Sequence, residues 1–411
     1  MKILAESRPR PRLSVAMIVR DEQDVLADSI ESVRAIADEI VVLDTGSKDR
    51  TIEVAERSGA AVRQVAWDDD FSAARNRCLQ EATGDWALWL DAGERLAAEG
   101  ATGLGRFLRD EADSRQVYTL WVEAPPREPS ASAEQAAQPR LIPARAQLRF
   151  EGRVRETLLP SMLSAGITAA VAPGRLLRHP RQHDSGRILR KAGRDLSLAA
   201  LEAGETGRWP PRLLLAAGQA QNVLGAQDEA RGMLRRAVRA AEPGSAEMLE
   251  AYYALLSTFD ADPELQTEHL AACLESLAVF PFDLQLLLAL GNFLLVRSRP
   301  DLAIRTFEAG VQLGKVTREV WHLCEVRELA AVCLSTALLV AQRGPEARQA
   351  LETALAAHPH SQRLERHLAA LDAKTRPPAG DTKFRIDAGQ TSPGAAPHYD
   401  ALGNPCPAGR S

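Results

Sequence analysis

Cysteine is scarce and unpatterned in this 411-residue chain. Cys78, Cys273, Cys324, Cys333 and Cys406 are odd in number and form neither a CxxC pair nor a Cys/His cluster. That argues against a disulfide framework and a thiolate zinc site, and it fits a reducing, cytoplasmic setting. No stretch reaches the roughly 20 uncharged apolar residues that a membrane helix needs. The apolar run that follows the basic segment in MKILAESRPRPRLSVAMIVRDE is about seven residues, short of a signal-peptide h-region. A formal charge of -5 with 26% charged residues leaves no bulk basicity for a nucleic-acid partner. No G-x-G-x-x-G follows the first apolar run, which argues against a nicotinamide-type dinucleotide site.

What the chain has is length for two or three domains and two contrasting patterns. From residue 13 to 91, short β-rich runs alternate with helical periodicity. The runs are LSVAMIV, 39-EIVVLD-44, 61-AVRQVAW-67 and 85-DWALWLD-91, with helices from about Asp24, Asp49 and Ser72. Such alternation predicts βαβ units and a largely parallel, Rossmann-like sheet whose ligands sit at the carboxyl strand ends, where Asp44 and Asp91 fall. A further strand, 116-QVYTLWVEA-124, precedes 125-PPREPSASAEQAAQPR-140, which reads as a mobile surface loop.

From about Ser185 the chain is helical and rich in Leu and Ala. The small residues Gly218, Ala230 and Ala237 are spaced by twelve and seven, and the spacing recurs at Gly291, Ala303, Gly310 and at Ser335, Ala347, Ala354. Leu234, Phe307 and Leu351 each follow the second small residue by four. Small residues so placed let two antiparallel helices approach closely, and the pattern resembles tetratricopeptide repeats, with Pro359 at the end of the last unit and a degenerate unit between about Glu247 and Pro281. An unrelated Ala/Leu bundle is the alternative. The expected boundaries are 1–184 for the α/β domain, 185–373 for the all-α repeats and 374–411 for a disordered Pro/Gly-rich tail.

Several segments could carry chemistry. After strand one comes 18-IVRDE-22, and after strand two 44-DTGSKDRT-51, where strand-end carboxylates suit the donors of a base and ribose. Capping and turn roles explain Asp44, Thr45, Gly46, Ser47 and Asp49 as well. In 68-DDDFSAARNRCL-79 a helix N-terminus with Arg75 could face phosphate, while Asp70 or Ser72 caps it. The apolar run DWALWLD ends in 91-DAGE-94, two acids separated by Ala and Gly. Glu151 and Glu156 lie in 147-QLRFEGRVRETLLP-160, which also reads as a surface strand of alternating charge.

A strand followed by DE, then DTGS-x-DRT, DDFSAARN, GDW and LDAGE, in this order within about eighty residues, resemble family 2 glycosyltransferases of the GT-A fold, above all the subgroup that joins a short transferase domain to tetratricopeptide repeats, as in bacterial enzymes. The resemblance implies an inverting transfer from a nucleotide sugar, a UDP-sugar, to a peptide, protein or glycan acceptor, with a protein partner held by the repeats. It implies that Asp44 contacts the base, that Ile18, Arg20 and Glu22 line the same pocket with Asp70 and Asp91, and that Arg75 lies near the diphosphate. A Mg2+ or Mn2+ would be held by Asp91, Glu94 and His179, neutralising the leaving diphosphate. Glu156 would be the base, with Glu151 second.

Lys191 and Arg194 would match the family's helix residues. Three positions depart from the family: Gly93 stands where an aspartate is usual, Arg155 where a histidine is, and the context after His179 lacks the usual Gly-Tyr. A catalytically degenerate domain serving as a repeat scaffold is the competing reading.

Overall fold

The computed structural model describes residues 11–126, 132–259 and 263–375. The expected tail lies outside them from residue 376 onward. The described residues divide into two compact units, one holding 11–126 and 133–240, the other 132, 241–259 and 263–375.

In the first unit the four apolar runs form strands: β1 (Leu13–Val19), β2 (Glu39–Asp44), β3 (Ala61–Gln64) and β4 (Trp86–Trp89). Between them lie α1 (Leu26–Val33), α2 (Thr51–Arg57) and α3 (Phe71–Glu81). β1, β2 and β4 are almost wholly buried, as continuous apolar strands covered on both faces must be. Next come β5 (Glu94–Leu96), α4 (Ala98–Asp110), β6 (Gln116–Ala124), β7 (Glu134–Pro143), α5 (Leu159–Ala165) and β8 (Thr168–Arg178). The sheet runs β3-β2-β1-β4-β7-β6-β8-β5. β3, β2, β1 and β4 are mutually parallel, and β6 pairs parallel with β8. The remaining three pairings are antiparallel. The sheet is therefore the expected α/β type with parallel pairings in the majority.

Two sequence expectations change. The segment 125–140 is not loop throughout, since its last residues belong to β7. The Ala/Gln-rich composition and Pro139 hide that strand, and Pro139 is tolerated because it sits at a β-bulge. The register passes from Tyr118–Leu141 to Thr119–Pro139, leaving Arg140 as the extra residue. The segment 147–160 is not an extended surface strand either. Gln147, Gly152 and Arg155 have positive φ, and Glu151 pairs main chain to main chain with Thr157.

Three helices complete the first unit: α6 (Ser185–Thr206), α7 (Pro211–Val223) and α8 (Gln227–Ala240). Leu198, Ala199 and Ala203 of α6 and Leu213, Ala216 and Ala217 of α7 share one apolar cluster with Val154, Trp67 and Phe71. Arg153 fastens the same surface, its main-chain N–H to Glu202, its guanidinium to Glu205 and to the carbonyls of Asp68 and Asp69. The change from sheet to helix thus falls near 184, while the division between compact units falls at 240.

The second unit is helical: α9 (Ala246–Leu256), α10 (Gln266–Val279), α11 (Leu284–Val296), α12 (Pro300–Leu313), α13 (Val326–Val340), α14 (Gly344–Ala357) and α15 (Gln362–Thr375). The repeated small residues mark where helices of one pair touch. A Cβ on Gly218 of α7 would lie 2.6 Å from Leu234 of α8, and one on Gly291 of α11 would collide with the Phe307 ring of α12. Ser335 of α13 and Leu351 of α14 are buried in the same way. The degenerate unit is the pair α9 and α10.

Candidate functional site

Because β1, β2 and β4 are parallel, their carboxyl ends open on one edge of the sheet, and the loops that follow them meet there. Side chains of one loop hold the main chain of the next. The Asp21 N–H donates to Ser47 Oγ (2.9 Å), the Lys48 N–H to Asp21 Oδ1 (2.7 Å) and the Glu22 N–H to Thr51 Oγ1 (2.7 Å). Asp44 ends β2 and is buried; its Oδ1 accepts from the N–H groups of Gly46 and Ser47, while its buried Oδ2 has no described partner. Asp70 is the N-cap of α3 and accepts from the Ala73 N–H, while Ser72 Oγ donates to it. Ile18 is half-buried in β1 and packs on the core of the sheet.

The turn 91–94 joins β4 to β5. Gly93 takes φ +86, a conformation L side chains rarely adopt, and its N–H donates to Ser29 Oγ of α1 (2.9 Å). The His179 N–H donates to the Gly93 carbonyl (2.7 Å), and His179 Nδ1 accepts from the Arg181 N–H, capping a short 3-10 turn.

The two acids of this turn are held by arginines. Arg140 Nη2 lies 3.1 Å from Asp91 Oδ2 and 2.7 Å from Glu94 Oε1, so one guanidinium nitrogen bridges both carboxylates. Arg178, cross-strand from Glu94 in the β5–β8 pairing, donates from Nε to Glu94 Oε1 (3.1 Å). Arg75 Nη1 and Nη2 lie 3.4 Å from Asp91 Oδ1, its Nε donates to Glu156, and its guanidinium stacks 4.2 Å from the Trp89 ring centroid. Trp89 Nε1 donates to Asp91 Oδ1 (2.9 Å). Asn76 clamps the neighbouring chain at both main-chain groups of Phe150.

Burial alone would push the Asp91 carboxyl up; Arg140, Arg75 and Arg178 outweigh it and hold Asp91 below the usual carboxylate range. The Arg75 guanidinium, although buried, is raised by Glu156 and Asp91.

The residues expected to hold a divalent cation do not fit one. A hard cation needs free oxygen ligands, and both carboxylates already serve guanidinium groups that would repel it. Among the described residues no group of three His, Cys, Asp or Glu side chains is arranged for a metal ion. Glu156, its side chain 12% exposed, comes together with Arg75 and Asp91. Glu151 is exposed, and its described bonds are the main-chain pair with Thr157. Arg155 donates to Gln219 of α7 (3.0 Å).

A cleft of about 710 Å³ opens beside this network, lined by Arg20, Asp21 and Glu22, by 91–94, by Arg178, His179, Arg181 and Gln182, and by the face of α6 that carries Arg187, Ile188, Arg190, Lys191 and Arg194. Arg187 Nη2 lies 2.7 Å from Glu22, which also pairs with Arg181. Burial, and secondarily Arg187, pull the Arg181 guanidinium below its ordinary value. Sequence reasoning passed over Arg140, Arg178, Arg181 and Trp89. The signal for Arg140 was a lone charge inside the run PRLIP, and for Arg178 a basic residue at the end of the run LLR.

Residues 14–101 match the family model described as glycosyl transferase family 2. A TPR repeat-containing protein of Synechococcus elongatus is 39% identical over 153 residues, 37% of this chain and 37% of that protein. The SPbeta prophage-derived glycosyltransferase SunS of Bacillus subtilis is 27% identical over 106 residues, 25% of each chain. An uncharacterized glycosyltransferase of Rickettsia conorii is 35% identical over 91 residues, 21% of this chain and 31% of that one. The chain thus spans less than two fifths of these relatives' lengths. Among solved structures, glucosyl-3-phosphoglycerate synthase of Mycobacterium tuberculosis superposes at TM-score 0.23 with 23% identity, over 28% of this chain and 43% of that one, a likeness too loose to carry an argument. The stretch that matches the glycosyl transferase family 2 model, 14–101, runs from the second residue of β1 past β4 and takes in both acids of the turn.

Proposed function

We propose that the chain is an inverting glycosyltransferase that moves a sugar from a nucleotide sugar, with UDP as the nucleotide, to a peptide, protein or glycan acceptor. The observation that carries this reading is the buried, unpartnered Asp44 Oδ2 at the carboxyl end of β2. An orphaned acceptor in that position suits a base N–H or a ribose hydroxyl, because leaving it unpaired costs about 1–3 kcal/mol. It stands next to the basic cleft through Ser47, which links Asp44 to Asp21. The nucleoside is assigned to Asp44, with Ile18, Arg20 and Glu22 alongside, and the phosphates to the arginine-lined wall.

Glu156 is the proposed proton acceptor. In the transfer the acceptor oxygen, sulfur or nitrogen bonds to the anomeric carbon as the bond to the diphosphate breaks, the electron pair leaves with the nucleotide, and the proton goes to Glu156. Glu156 is engaged by the Arg75 guanidinium, so that contact has to loosen as the acceptor arrives. Assays of the full chain across several UDP-sugars with a peptide acceptor test this. Glu156→Gln is expected to lower kcat by about 10²-fold or more with little change in KM. Full activity of that variant removes the base assignment.

The second reading, a scaffold built on a degenerate transferase, is favoured by one observation: both carboxylates of the turn are used by internal arginines. In either reading the helical pairs are the proposed site for a protein partner.

A further inference from the structure

We propose that the cleft neutralises the donor's diphosphate with guanidinium and ammonium groups instead of a divalent cation. This rests on the nucleotide-sugar reading above. Arg140 supplies the first ground. It is buried, sits at a β-bulge, and places one cationic nitrogen between Asp91 and Glu94, the two acids that were expected to hold a metal ion. Counted together, Arg75, Arg140 and Arg178 balance Asp91, Glu94 and Glu156, so the network is neutral and offers no excess negative charge to a Mg2+ or Mn2+.

The positive excess lies on the adjoining wall. Arg187, Arg190, Lys191 and Arg194 follow i, i+3, i+4, i+7 spacing and therefore share one face of α6. Seven residues of helix carry that row over about 10 Å, enough to follow a diphosphate and its sugar. Three carboxylates answer these groups and Arg181: Glu22 takes Arg181 and Arg187, Asp24 takes Arg181, and Asp195 takes Lys191 and Arg194. Arg190 has no described hydrogen-bond or ion-pair partner. Five cations against three anions leave an excess of two, which matches the two to three negative charges of a nucleoside diphosphate. Guanidinium groups bind phosphate oxygens with two parallel hydrogen bonds, so this wall supplies both charge and direction.

Calorimetric titration of UDP, GDP and dTDP into the full chain, once in EDTA and once in Mn2+, decides it. Dissociation constants for at least one nucleotide that agree within about threefold between the two conditions are expected. The double variant Arg190→Ala/Lys191→Ala should weaken that binding by about tenfold or more while the circular dichroism spectrum stays unchanged. Binding that appears only with Mn2+ overturns the proposal and leaves the nucleotide-sugar reading standing. Unchanged affinity in the double variant overturns it as well. Absence of binding for all three nucleotides under both conditions overturns both.

Discussion

Arg75 shows how much one side chain carries. Its Nε holds Glu156, its Nη atoms face Asp91, and its plane lies over Trp89. Lysine has one charged nitrogen and no plane, so Arg75→Lys keeps the charge but cannot keep all three contacts. It is expected to weaken nucleotide binding and to lower stability by about 1–3 kcal/mol, read by denaturant titration. Asn76→Ala should cost about 1–3 kcal/mol as well, because it leaves both main-chain groups of Phe150 unpaired. The motif in which these two residues stand was legible in the sequence, as were Asp44, Asp91 and Glu94. Their charge partners were not. Arg140 reaches Glu94 from 46 residues away and Arg178 from 84, and nothing local in a sequence announces pairs of that separation.

Among elements, strands that are apolar throughout were legible to the residue: β1, β2 and β6 begin and end where their runs do. β7 was not, because Pro139 and the Ala/Gln-rich residues before it give no period-2 signal, and only tertiary pairing with β4 and β6 makes it a strand. The helical pairs were legible through their small residues. Gly291→Leu should overfill the contact with Phe307 and destabilise the second unit by about 1–3 kcal/mol or more, measured by thermal unfolding. In the same unit Asp283 caps α11 and accepts from Tyr253 Oη; burial pushes its carboxyl up to about 6. A raised native value means the folded state holds the proton longer, so this group's contribution falls as pH rises from about 4 to about 6. Asp283→Asn should flatten that part of the stability–pH curve, by on the order of 2 kcal/mol across the window.

At the scale of the whole molecule, a net charge of -5 coexists with a basic cleft, so charge balance over the chain says little about the field at one site. Where the chain can be cut also follows from packing. A fragment ending at residue 240 keeps the apolar cluster of α6 and α7 with Phe71 and Val154; one ending at 184 loses it together with the Glu202 and Glu205 partners of Arg153. The first is expected to unfold cooperatively and the second to show no cooperative transition, with calorimetry as the measure. The bulge at Arg140 has a consequence of the same kind. The stretch that matches the family model, 14–101, contains Asp91, Glu94 and Arg75 but neither Arg140 nor Arg178. Taken alone it describes an acidic, cation-seeking pocket, whereas the folded chain presents a charge-balanced one: the sign of the site is decided by residues outside the matching segment.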